Sequence, residues 1–537
     1  MNESILVRYG LWPVAVAWLI CLFVALFYRG LIPIDETRYL SVAWEMWQRG
    51  DLLVPYLNSV PYAHKPPLLF WLIDLSWWLF GVSELIARLA IAVVGLLSLL
   101  LVYPLGRLLW PAQKNAAFLA AWVLLTLLIW AFWSGSLMFD LLLTACAEIG
   151  WIGILLAWRG RVIVGWLLTG GGMGLGILAK GPVILLMVLP VALLRPFWGN
   201  RFRIQGEGGR FPSWLLWYAG CFIALLFGAG IALAWALPAA DAGGEAYKQA
   251  ILWGQTANRV VHSFAHSRPW WWYLLLLPLL LFPWSFWLPL WRQCREQFRA
   301  GLDSGDGFVL TVFIAGFVLI SLVSGKQVHY LFPLYPALAL FAGHALSHAR
   351  GVATISRAAV SVLVILPLVV GLYIIVAPYL QHSPKLPAGL GDPSPIWSLP
   401  FLGLTLTAWV KPALFSKPDG VGILSLLVLI FCYGAFIHRM SASYNLKPLA
   451  MVIARQQMLG RQVAFSGRDY KGEFHFFGRL KHPLKVIPDG QVAHWRKLHP
   501  KAGLIKIVQN KPNDNRLYVA VWNQGKFYLW VPPADTQ

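Results

Sequence analysis

Leu68-Leu-Phe-Trp-Leu-Ile-Asp74-Leu-Ser-Trp-Trp-Leu-Phe80 is the stretch on which the topology of this chain turns. It is apolar and holds Trp71, Trp77 and Trp78, yet it is only about 13 residues long, short of the roughly 20 that a spanning helix needs. It also carries Asp74. A run of that length reads as interfacial, not spanning. Longer apolar runs recur near 11–28, 85–106, 116–133, 138–157, 163–179, 181–195, 213–237, 270–291, 308–323, 329–347, 357–378, 396–412 and 418–437. They predict about 13 transmembrane helices.

The loops between those runs fix the sidedness. Cytoplasmic loops are enriched in Lys and Arg. With 68–80 on the outer surface, the inner loops hold Arg107 and Lys114; Arg159 and Arg161; Arg195, Arg201, Arg203 and Arg210; Arg292, Arg295 and Arg299; Arg350 and Arg357; Lys411 and Lys417. Every one of them is basic. Were 68–80 to span, each later loop would change sides and the bias would invert. The interfacial reading places Asp35, Lys65, Asp140, Lys180, the 238–269 loop, Lys326 and His329 at one face, the outer one. Two outer-face loops result, 29–84 with its interfacial helices and 238–269.

Composition agrees with a polytopic membrane protein. Hydrophobic residues make up 59% of the chain and charged residues 12%, against about 25% charged in a soluble domain; mean hydropathy is +0.65. The 30 Trp and 18 Tyr suit the aromatic belts at lipid–water interfaces. The formal charge of +21 fits cytoplasmic loops and anionic membrane lipids, so nucleic acid is not expected as a partner. None of the five cysteines falls in a predicted external segment, and none has metal-type spacing, which argues against a disulfide framework. The run from Leu11 to Tyr28 meets Arg29-Gly30-Leu31, not a small-residue cleavage signal, and reads as a retained first helix.

Past about Arg439 the pattern changes. Short β-prone runs (462–465, 473–477, 504–508, 517–522 and 526–531) alternate with turn signals such as Pro488-Asp489-Gly490. The expected organisation is a transmembrane domain over 1–437 and a small soluble domain over 438–537, of α/β or mainly β character and on the outer side.

Asp35-Glu36-Thr37-Arg38-Tyr39 follows the first span, and Tyr62-Ala63-His64-Lys65-Pro66-Pro67 precedes the interfacial run. Charge at the mouth of a membrane bundle is costly and tends to be functional. Asp35 reads either as the cap of a helix over 36–48 or as a carboxylate that takes a proton from a sugar acceptor and faces an oxocarbenium-like transition state. Asp140 opens a helix on which Thr144 and Glu148 share its face. Glu148 lies deeper, with a functional and an architectural reading equally open. Lys65 is either a snorkelling lysine or a counter-ion for a lipid phosphate, and Arg38, Lys180, Arg268 and Lys326 are the cations that could join it. Outer-face histidines His64, His262, His266 and His329 lack metal-site spacing and read first as hydrogen-bonded side chains.

An ordered set of motifs resembles one family. Asp35-Glu-Thr-Arg-Tyr39 is followed by Gly50-Asp51, Val54-Pro55, Tyr62-x-x-Lys65-Pro66, Phe139-Asp140 and Ala179-Lys180-Gly181-Pro182. Then come His266-x-x-Pro269-Trp-Trp-x-Tyr273 and Ser324-Gly-Lys326-x-x-His329-Tyr-Leu-x-Pro333-Leu-Tyr-Pro336. The set is similar to the integral-membrane GT-C glycosyltransferases related to bacterial aminoarabinose transferase and protein O-mannosyltransferases (glycosyltransferase family 39-like). The resemblance implies a mainly α GT-C fold in a bacterial inner membrane and a polyprenyl-phosphate sugar donor. It implies a lipid or glycan acceptor such as lipid A, inversion at the anomeric carbon, and a periplasmic active site. Asp35 would be the principal catalytic acid and Asp140 a second. Arg38, Tyr39, Tyr62 and Lys65 would line the lipid-phosphate site, with Lys180, Arg268, Lys326 and His329 nearby. Where the aminoarabinose transferases carry Glu-Lys-Pro, this chain has His64-Lys65-Pro66. In that subfamily the Glu and the histidine matching His266 are linked to a metal, so His64 and His266 are the candidate ligands of a divalent ion, Zn or Mg/Mn. The alternatives are a lipid-linked sugar flippase or secondary transporter, which predicts broken helices paired across two halves, and a non-catalytic lipid-binding scaffold.

Overall fold

The computed structural model describes residues 10–199, 213–254, 267–348, 355–380, 393–467, 470–509, 519–523 and 526–533. Among them, seven helices are long and apolar enough to cross a membrane: Glu84–Leu109, Phe139–Trp158, Val162–Lys180, Trp214–Ala242, Ser304–Leu322, Val328–Ser347 and Pro418–Met458. The bent pair Arg357–Leu363 and Ile365–Tyr379 makes up to eight if it counts as one span. Shorter apolar helices are Trp12–Tyr28, Leu68–Phe80, Lys114–Thr126, Pro182–Leu193 and Pro395–Val410.

Most of the predicted runs are helical, but not all are continuous. The run expected over 270–291 breaks into Trp272–Leu280, a 3-10 turn Trp284–Phe286 and an amphipathic helix Leu288–Ala300. Pro278, Pro283 and Pro289 remove backbone donors through this region, which a long helix does not tolerate. The run 116–133 divides at Leu127, whose ψ of 117° is extended, into Lys114–Thr126 and Leu128–Trp133. The stretch 68–80 is a single helix, Leu68–Phe80, stopped by Gly81 at φ 87°.

Two packings position the polar residues. The first sets Phe139–Trp158 antiparallel against Val162–Lys180, joined by the short turn around Gly160. Their faces meet through glycine. A Cβ on Gly165 would come within 2.4 Å of the Ala157 backbone nitrogen, and one on Gly153 within 2.5 Å of the Gly165 carbonyl. Close approach of this kind is what small residues allow between membrane helices. It brings the first turn of one helix beside the last turn of the other.

The second packing clamps the helix Asp35–Arg49 under the C-terminal domain. That helix has Asp35 and Glu36 in its first turn, where the helix dipole favours acids, and ends at Gly50 with φ 67°. The domain above it is a five-stranded sheet in the spatial order Lys485–Ile487, Val463–Ser466, Gly503–Val508, Lys526–Val531, Val519–Asn523. The first three strands are parallel and the last two join antiparallel. Helices Lys447–Met458 and Val492–Leu498 make it α/β. Four of the five β-prone runs are strands; the run 473–477 is instead a helical turn, His475–Gly478. Its side chains are spent on the membrane domain. The Phe476 ring stacks on Trp77 at 5.4 Å and 9°, and its backbone N–H donates to Ser41 Oγ at 3.2 Å. Asn58 exchanges two bonds with the Leu484 backbone, at 3.0 and 2.8 Å.

Candidate active site

Asp35 is the first residue of its helix, and Ile34 occupies the cap position without a side-chain bond. The capping reading therefore fails. The Asp35 carboxylate instead accepts from the Arg38 guanidinium one turn on, and Tyr39 Oη lies 3.4 Å away. Asp35 faces a cavity of about 400 Å³ whose wall includes Ser136, Arg268, Lys326 and His329. Phe132, Trp133, Met138 and Trp272 supply its apolar surface.

The same cavity is lined by cations. Lys326 is buried and donates to the carbonyls of Arg268 (3.0 Å) and Val323 (2.5 Å). Burial pulls its ammonium below the ordinary lysine pKa. An antiparallel bridge between Ser267 and Gly325 joins the two segments, so Arg268 and Lys326 arrive together. His329 stacks on Trp133 at 5.6 Å.

A second polar group interacts with His329. Lys180 Nζ is 2.5 Å from Asp140 Oδ1, and both are largely buried. The Asp140 carboxylate interacts electrostatically with Lys180, His329 and Lys65. Lys65 Nζ stands 5.5 Å from the Phe139 ring, and Lys180 Nζ 4.7 Å from the Tyr330 ring. Tyr39 meets Phe139 edge-on at 4.8 Å, and Tyr62 packs on Phe70, which packs on Phe139. Phe139 is thus the hub on which the Asp35 helix, the Leu68–Phe80 helix and Asp140 converge. Glu148 is fully buried two turns deeper, facing Ser98, and stays outside this group.

One buried ion pair escaped the sequence reading. Arg29 Nη2 lies 2.5 Å from Glu36 Oε2. Glu36 also accepts from the backbone of Ile32 (2.8 Å) and Leu137 (2.6 Å), and Arg29 donates to the Gly135 carbonyl (3.1 Å). The pair sutures the loop before Asp35 to the turn before Asp140. Its only signal in the sequence is two opposite charges seven residues apart around a membrane exit.

The candidate metal ligands His64 and His266 cannot be placed relative to one another, because one of them lies outside the described residues. His64 is exposed and tilts over Tyr62 at 5.3 Å, while His266 and His262 lie outside the described residues. Among the described residues, the single group of three metal-type donors within reach of one another is Asp303, Asp306 and His344, at the opposite ends of the helices from Asp35. Among the described cavity residues, no three metal-type donors come within reach of one another.

The fold and this cavity define a class: a helical membrane bundle with an acid and several cations at one mouth, capped by a small α/β domain. The structure of ArnT from Cupriavidus metallidurans bound to undecaprenyl phosphate superposes with a TM-score of 0.73, over 96% of this chain and 97% of that one, at 19% identity. The likeness at that identity is one of fold. The family model "Dolichyl-phosphate-mannose-protein mannosyltransferase" matches residues 64–207. An undecaprenyl phosphate-alpha-4-amino-4-deoxy-L-arabinose arabinosyl transferase of Erwinia tasmaniensis is 31% identical over 346 residues, 61% of this chain and 59% of its own length. A second transferase of that name, from Pseudomonas fluorescens, is 26% identical over 530 residues, 91% of this chain and 90% of its own. The chain resembles the GT-C integral-membrane glycosyltransferases, as its ordered motifs implied, and its match to the Erwinia protein spans about three-fifths of that protein's length.

Proposed function

We propose that this chain is a glycosyltransferase that moves a sugar from a polyprenyl-phosphate donor to an acceptor at the periplasmic face of a bacterial inner membrane. The observation that carries it is the Asp35 carboxylate on one wall of a cavity of about 400 Å³ that also holds Arg268, Lys326 and His329. An acid opposite cations at a membrane mouth matches a reaction in which a hydroxyl loses a proton while a phosphate gains charge.

The donor enters from the lipid with its phosphate against Arg268 and Lys326. The acceptor oxygen attacks the anomeric carbon from the Asp35 side, and its proton passes to the Asp35 carboxylate. The bond from that carbon to the phosphate oxygen breaks, its electron pair stays on polyprenyl phosphate, and configuration inverts. Arg38 and Tyr39 hold the Asp35 carboxylate in place. Asp140 is buried and held by Lys180, so its part is to fix Lys180 and His329 behind the phosphate. Tyr62 and Lys65 line the approach from the lipid. About 13 crossings, a periplasmic C-terminal domain over 438–537, and lipid A or another envelope glycan as acceptor belong to the same proposal.

The test is transfer by the purified protein in liposomes containing a polyprenyl-phosphate sugar, with release of polyprenyl phosphate followed by mass spectrometry. Asp35→Asn should remain folded and release none. Full release by Asp35→Asn would end the assignment. Lipid profiles from a deletion strain would name the acceptor.

A further inference from the structure

At the end of the bundle opposite Asp35, four chain segments meet around one imidazole. His344 sits in the last turn of Tyr335–Ser347. Asp303 caps the helix Ser304–Leu322, and Asp306 completes a reciprocal capping box with it. Gln297 comes from Leu288–Ala300, and Trp110 follows Glu84–Leu109. The loop charges assign this end to the cytosol.

The imidazole is held on three sides. Nδ1 lies 2.8 Å from Asp306 Oδ1 and 2.9 Å from Gln297 Nε2, and the same Asp306 oxygen accepts from Gln297 Nε2 at 2.5 Å. Asp306 Oδ2 accepts from the Asp303 backbone at 3.1 Å. The Trp110 indole stacks flat on the ring, with centroids 4.0 Å apart and planes at 16°, and its Nε1 donates to Asp303 Oδ2 at 2.9 Å. The remaining ring atom, Nε2, points at Asp303 Oδ2 from 3.8 Å. His344 is 2% exposed, and its Nε2 has no hydrogen-bond partner among the described residues.

That separation is too long for a hydrogen bond. It does fit two donors of one cation, since a zinc-bound nitrogen and oxygen lie no more than about 4.2 Å apart. A histidine that gives Nδ1–H to a carboxylate keeps its Nε2 lone pair for a metal, in the carboxylate–histidine–metal arrangement. Two carboxylates around one neutral imidazole leave net negative charge for a divalent ion to balance. Asp303 is half exposed, so water can complete the coordination. Imidazole favours a transition metal over Mg or Ca.

We propose that His344 Nε2 and Asp303 Oδ2 bind a divalent transition-metal ion of the zinc class, with Asp306 orienting the imidazole. The site lies apart from the Asp35 cavity and does not depend on the function proposed above. The competing arrangements, both without a metal, are an imidazolium held between two carboxylates and a neutral imidazole whose Nδ1 accepts from Gln297 Nε2.

Full-length protein in detergent, stripped with chelator, is titrated with Co²⁺ and then Zn²⁺. One Co²⁺ per chain should bind with visible ligand-field absorption and be displaced by Zn²⁺. Asp303→Asn, which preserves a good helix cap, should weaken binding at least tenfold, as should His344→Gln. If His344→Gln fails to fold, Asp303→Asn decides alone. A protein carrying His64→Gln and His266→Gln should retain the Co²⁺. Absence of stoichiometric binding, or binding that survives Asp303→Asn, would overturn the proposal.

Discussion

Lys180 Nζ and Asp140 Oδ1 stand 2.5 Å apart across an antiparallel helix pair, each buried by its neighbours. The lysine ends one helix and the aspartate begins the other. A buried pair of this kind adds little net stability when intact, but breaking one half strands a charge at a cost of about 3–5 kcal/mol. Lys180→Met should therefore lower the thermal midpoint in detergent and abolish transfer. Adding Asp140→Leu should restore the midpoint without restoring transfer. A Lys180→Met protein with an unchanged midpoint would contradict the pairing.

The glycine contact that creates this pair is equally exposed to test. A side chain on Gly165 would sit within 2.4 Å of the opposing Ala157 backbone nitrogen. Gly165→Val should cost about 1–3 kcal/mol or more through overpacking. It should also cut disulfide cross-linking between cysteines placed at 140 and 180. Efficient cross-linking in the Gly165→Val protein would mean that the helices do not meet through this face.

How much of this was legible beforehand depended on the kind of signal. The helices long enough to span fall on predicted apolar runs, and the bounds 68–80 match the helix because Pro67 and Gly81 punctuate it locally. The motif residues Asp35, Arg268, Lys326 and His329 were each named, although nothing in the spacing required them to share one cavity. What stayed hidden was set by tertiary contact. The strand expected at 473–477 is a helical turn because Phe476 stacks on Trp77, some 400 residues earlier in the chain. The Arg29–Glu36 suture is not visible in the sequence because Arg29 enters there only as the residue that ends the first apolar run. His64 stands exposed beside Tyr62, and its expected companion His266 lies outside the described residues.

Arg268 and Lys326 are assigned to the donor phosphate, so their loss should act on binding first. Lys326→Gln and Arg268→Gln should each raise the donor KM by about ten- to a hundredfold, the equivalent of roughly 1.4–2.8 kcal/mol. The effect on kcat should be smaller. Steady-state kinetics with varied donor separate the two, and an unchanged KM in both variants would remove these residues from the phosphate site.

The C-terminal domain should respond to pH through two buried groups of opposite sign. Burial pushes the Glu473 carboxyl up to about 7 from 4.5. A raised carboxyl gives stability that is complete below pH 4.5 and lost as pH climbs through 7. Burial also pulls His475 down to about 3 from 6.5. Its contribution is complete above 6.5 and lost as pH falls toward 3. Glu473→Gln should gain stability relative to the unaltered protein as pH rises from 4.5 to 7, by at most about 1.4 kcal/mol per unit. His475→Gln should gain relative to it as pH falls from 6.5 to 3. Melting curves across pH 3–8 read both, and parallel curves for all three proteins would contradict the assignment.

The central claim is that the acid, the cations and the cavity share one mouth of the bundle, facing away from the cytosol. Single cysteines at positions 35, 268 and 326, in a protein without its five native cysteines, can be labelled in intact cells with a membrane-impermeant thiol reagent. A cysteine at position 303 serves as the opposite reference. Positions 35, 268 and 326 should react from the periplasm, and 303 only after the inner membrane is opened. Labelling of 35 and 326 from different sides would contradict it outright.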